Sequence, residues 1–185
     1  TVALLTLWIA TWLRDVAGFS RAEVAQALLA VNVALIAGYL GFGRAADAMA
    51  RRGGSTLPLF AGGIACASAC LALIAFGGTG WSVLLWALFI FFGAASTVAY
   101  PMLSRRYPRE MGGRVNTCVN IFTFMGTFLG QWGAGLILNL WAPTATGYAP
   151  AAYFYAFGAL WLAQLTGLIW LLAGRRLLAP PSARP

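Results

Sequence analysis

The chain has 185 residues, of which 61% are hydrophobic and 9% charged, whereas a soluble domain carries about 25% charged residues. So few charges cannot cover a water-soluble globule, and a run of at least six apolar stretches excludes a lone secretory signal or tail anchor. The net charge of +8 comes from arginine, since there is no lysine; those arginines fall in short loops between apolar runs, which excludes a nucleic-acid face and points to membrane topology.

In chain order, the apolar runs and their punctuation predict helices over 1–16, 21–42, 56–76, 81–104, 113–141 and 151–174. The expected fold class is all-α, a polytopic membrane bundle of six transmembrane helices occupying residues 1–178, with a short Pro-rich cytoplasmic tail over 179–185. The first run is short for a span and opens without Met, so it is expected to be truncated, with further residues upstream. The connections alternate. Those at 77–80 and 142–150 are uncharged, whereas 44–54 and 105–114 are Arg-rich. By the positive-inside rule Arg44, Arg51, Arg52, Arg105, Arg106, Arg109, Arg114, Arg175, Arg176 and Arg184 mark the cytoplasmic side, with Arg14 and Arg21 opposite. Trp8, Trp12, Trp81, Trp141, Tyr148 and Tyr153 fall near helix ends, where amphipathic rings anchor a bundle at the interface. Trp86, Trp161 and Trp170 lie deeper and read as lipid-facing or packing residues.

Chemistry is sparse. With no His and only four carboxylates, all near helix ends or loops, neither a nucleophile with its base nor a metal-ligand set is present, and no enzymatic activity or cofactor is expected. Cys66, Cys70 and Cys118 all sit inside apolar runs, which argues against a disulfide framework. The polar groups concentrate in the fifth predicted helix. Asn116, Asn120, Thr123, Thr127 and Gln131 step by three or four residues and share one face, which either lines a water-filled or solute-filled path or bonds to neighbouring helices. Asn32 lies near the middle of the second helix. Gly126 and Gly130 form a G-x-x-x-G pair that favours close helix approach. Pro101, after Tyr100, removes a backbone donor and predicts a kink, and Tyr100 is a candidate gate at the cytoplasmic end. Arg14 and Asp15, being adjacent, are not expected to face each other across a helical turn; they order the outer surface or form an outer gate.

The segment Gly43-Arg44-Ala45-Ala46-Asp47-Ala48-Met49-Ala50-Arg51-Arg52 resembles the loop signature of the major facilitator superfamily. Gly43, Asp47, Arg51 and Arg52 match; Ala50 stands where the family usually has Gly, and Ala48 where it often has a basic residue. The stretch Pro108 to Arg114 is similar to the family's basic loop before its eleventh helix. The resemblance implies that these helices are the seventh to twelfth of a carrier in the bacterial inner membrane, that a six-helix half precedes them, and that the two halves rock about a midplane site. It implies as partners a small-molecule substrate, with or without a coupling ion, surrounding membrane lipid and the preceding half, but no nucleic acid. Gly43, Asp47, Arg51 and Arg52 would form a conformational latch loop, Asp47 accepting from the N-terminus of a helix of the other half. Substrate would meet the cavity faces of the first, second, fourth and fifth helices, giving Trp12, Asn32, Ser96, Asn120, Thr123 and Gln131 as candidate contacts. The stretch Leu7 to Val16 is also similar to members labelled nitrate/nitrite-type, yet the second helix lacks the arginine that nitrate carriage calls for, so nitrate is not expected. The competing reading is a polytopic protein that transports nothing: a receptor, assembly factor or channel subunit.

Overall fold

In the computed structural model, which describes residues 7–144 and 147–174, all the regular structure is helical. The elements are α1 (Ile9–Asp15), α2 (Arg21–Arg51), α3 (Leu57–Phe76), α4 (Ser82–Gly93), α5 (Ala99–Ser104), α6 (Gly112–Leu138) and α7 (Pro150–Ala173). A 3-10 segment (Ala94–Val98) joins α4 to α5, and single 3-10 turns precede α4 and α6. Five segments are long and apolar enough to cross a membrane: Arg21–Arg51, Leu57–Phe76, Thr79–Ser104, Arg109–Leu138 and Pro150–Ala173. The expected first span is described only from residue 7, and the tail with Arg175, Arg176 and Arg184 lies outside the described residues.

Local chemistry accounts for the helix boundaries. Ser20 opens α2 with a capping box: its Oγ accepts from the Glu23 N–H at 3.4 Å, and its own N–H donates to Glu23 Oε2 at 2.8 Å. The helix then runs nine residues past the expected end at Phe42. The segment expected as a loop is therefore helical: Gly43, Asp47 and Arg51 lie in α2 and Arg52 is its C-cap. Ala45, Ala46, Ala48 and Ala50 are the strongest helix formers, so the helix outlasts its apolar run. It stops at Gly53, whose φ of +70° suits a residue without Cβ. There Gly53 N–H donates to Ala50 O at 3.1 Å and Gly54 N–H to Met49 O at 2.9 Å, closing the helix with a Schellman motif. The resulting 31 residues rise about 46 Å at 1.5 Å each, beyond a hydrocarbon core of about 30 Å. The charged last turns therefore have room to stand outside it.

The expected kink at Pro101 takes a different form. Pro101 has no N–H to give the Thr97 carbonyl four residues back, and the 3-10 segment lies one turn upstream, over Ala94–Val98.

Helix α4 is the hub of the bundle: α2 and α3 both pack on it, α7 packs on α3, and α6 packs on α7. The core centres on Trp86, which is fully buried and meets Trp12, Phe89 and Phe157 edge-on at centroid distances of 5.7–5.8 Å. Trp8 and Trp12 are buried in this cluster, which corrects their expected anchoring role; Trp81 and Trp170 are exposed. Close approach is carried by Gly38 and Gly63. A Cβ on Gly38 would stand 2.6 Å from the Phe91 carbonyl oxygen, and one on Gly63 would strike Ala95 and the Phe42 ring, whereas Gly126 faces open space.

Candidate functional site

The polar face of α6 is bonded to α5 near its N-terminal end. Tyr100 Oη donates to Asn120 Oδ1 at 2.5 Å, and Ser104 Oγ to Asn116 Oδ1 at 2.9 Å, so two consecutive turns of α6 are pinned to α5. Beyond them Thr123 is exposed and Thr127 partly so. Thr123 and Thr127 donate to the carbonyls of Val119 and Thr123, each at 2.8 Å, which satisfies their hydroxyl protons within the helix and leaves oxygen lone pairs directed outward. Gln131 lies half-buried further along the same face. Around it α6 is apolar and exposed: Phe122, Phe124 and Phe128 are each more than 60% accessible, and only Ala134 and Leu138 are buried.

The other candidate contacts are spread along the bundle. Asn32 is exposed on α2 and donates Nδ2 to the Leu28 carbonyl at 2.8 Å, leaving Oδ1 open. Ser96 is exposed in the 3-10 segment. Trp12 is 4% accessible and packs on Trp86, so in this conformation its ring serves the core. Among the described residues no hydrogen bond joins Asn32, Ser96, Asn120 and Thr123 to one another. Asp47 is exposed, and its carboxylate has no partner among the described residues. Near the C-terminal end of α2 the helix dipole disfavours that charge, so a donor from elsewhere would stabilise it.

Sequence reasoning missed the role of Asp15. The adjacent pair does meet, with Arg14 Nε donating to Asp15 Oδ1 at 2.8 Å; Arg14 is half-exposed, but the Asp15 side chain has no accessible surface. Its Oδ2 accepts from the Tyr148 backbone N–H at 3.1 Å and from Tyr153 Oη at 2.9 Å. Three donors thus surround a carboxylate at a helix C-terminus, where the dipole would otherwise disfavour it. Gly147, at φ +152°, completes the clamp, since a Cβ there would stand 2.5 Å from Asp15 Oδ1. The clamp ties the end of α1 to the start of α7. Its one sequence signal is a carboxylate closing an apolar run, because the two donors to Oδ2 lie more than 130 residues away.

Among the described residues no three His, Cys, Asp or Glu side chains gather as a metal site. No protein-family profile, curated protein or solved structure matches the chain.

Proposed function

We propose that the chain forms the C-terminal half of a secondary carrier of the major facilitator superfamily, moving a small solute across the bacterial inner membrane by alternating access. The observation that carries this reading is exposed Thr123, on the polar face of a helix long and apolar enough to span, with no bond to another helix among the described residues. Polar groups at membrane depth face a partner or a watery path far more often than lipid. A second six-helix half opposite α6 and α2 would enclose such a path, with Asn32 Oδ1 on its other wall. In this reading the Arg-rich ends lie in the cytoplasm, and Asp47 with Arg51 and Arg52 engages the other half from an extended helix.

The bonds from Tyr100 to Asn120 and from Ser104 to Asn116 favour the second reading, in which the polar residues hold helices together in a protein that transports nothing. Thr123 discriminates, because it makes no bond to another helix. In membrane vesicles carrying the full-length protein, uptake of a panel of labelled small solutes is expected to show one transported class. Thr123→Ala and Gln131→Ala are expected to lower its uptake about tenfold each, the loss of one hydrogen bond to bound solute. Uptake left unchanged by both variants would sink the proposed path and favour the second reading.

A further inference from the structure

Between α5 and α6 a groove of about 610 Å³ flanks the polar face of α6 and shares Thr123 with it. Leu103 forms its wall on α5, while Val115, Val119 and Phe122 form its wall on α6. Counting 3.6 residues per turn, these α6 residues sit about a third of the circumference away from Asn116 and Asn120, with Thr123 on the border. Arg114 is the one charged side chain in the lining, and it is exposed. The segment leading into it, 105–114, carries four arginines, Arg105, Arg106, Arg109 and Arg114, against one carboxylate, Glu110.

We propose that this groove is a site for an anionic glycerophospholipid, one acyl chain lying along Val115, Val119 and Phe122 and the phosphate held by Arg114. The apolar wall alone selects nothing, because in a bilayer it exchanges one lipid tail for another. Selectivity comes from the charged end, where a guanidinium meets a phosphate in a two-point hydrogen bond and the arginine surplus favours net negative charge over a zwitterion. The groove's shape then fixes where the tail lies. This site stands on the membrane-spanning bundle and is independent of the carrier reading.

Cys118 lines the groove with its thiol free and exposed, and Cys66, on α3, is free and exposed outside it, so the chain carries its own probe and control. The purified chain in detergent micelles is supplied with phosphatidylglycerol, phosphatidylcholine or inorganic phosphate, and alkylation of each cysteine by N-ethylmaleimide is followed by mass spectrometry. Phosphatidylglycerol is expected to slow Cys118 at least about fivefold relative to phosphatidylcholine, with Cys66 unchanged. Arg114→Gln is expected to abolish that difference, and Arg114→Lys to keep part of it. Equal rates in the two lipids, protection that survives Arg114→Gln, or equal protection by inorganic phosphate would each overturn the proposal.

Discussion

Replacing Trp86 by alanine is expected to destabilise the bundle by about 3 kcal/mol, the lower end of the range for burying a cavity of aromatic size. The lower end applies because lipid is as apolar as the core, which leaves mainly the lost dispersion contacts and the void. Those contacts are concentrated, since Trp12, Phe89 and Phe157 all rest edge-on against this one fully buried ring. Its indole N–H has no hydrogen-bond partner among the described residues. Trp86→Phe removes that orphan donor while keeping an aromatic body, and is expected to cost about 1 kcal/mol or less. Reversible unfolding of the purified chain by dodecyl sulfate in mixed micelles measures both. Equal losses for Phe and Ala would show that the indole nitrogen carries the site instead of the packing.

Asp15→Ala is expected to cost about 2–4 kcal/mol, because it leaves the Tyr148 N–H and the Tyr153 hydroxyl buried without an acceptor, each worth about 1–3 kcal/mol. Arg14 adds little, since its side chain is half-exposed and regains water. Asp15→Asn keeps one carbonyl oxygen and should lose roughly half as much. The loss should be local as well as global, because the clamp holds the segment before α7 to the end of α1. Protease nicking beside Gly147 and Tyr148 is therefore expected to rise in Asp15→Ala and to rise less in Trp86→Phe. An unchanged midpoint and unchanged nicking would show that the clamp contributes nothing to the bundle.

Much of the helical architecture was legible because membrane spans are set by length and apolarity, which are local properties. The start of α2 could be read from Ser20 and Glu23, and the spans over 56–76, 81–104 and 151–174 were placed to within a residue or two of their observed limits. The extent of α2 was not, because the apolar run ends at Phe42 while four alanines carry the helix on to Arg51. The contacts of Gly38 and Gly63 were not legible for a related reason. G-x-x-x-G spacing states that a helix offers a flat face, but which face meets a backbone depends on the neighbour, and Gly38 and Gly63 have neighbours where Gly126 has none. The polar face of α6 followed from 3.6-residue periodicity; that Asn116 and Asn120 are engaged by Ser104 and Tyr100 did not, since it depends on how α5 lies after the 3-10 segment. Trp12 and Asp15 mark the limit of local reading. Both sit near the end of the first apolar run, where anchoring and surface roles are the usual ones, and both are buried by residues distant in the chain.

In a carrier the polar face of α6 borders water within the membrane. Single cysteines at 116, 120, 123, 127 and 131, and at 121, 125 and 128 as apolar controls, can be placed in the full-length protein with Cys66, Cys70 and Cys118 changed to alanine. They are then labelled in sealed vesicles by a charged, water-soluble thiol reagent. Labelling at 123, 127 and 131 with protected controls is the predicted pattern, whereas equal protection on both faces would contradict the carrier reading and leave α6 as a packing helix.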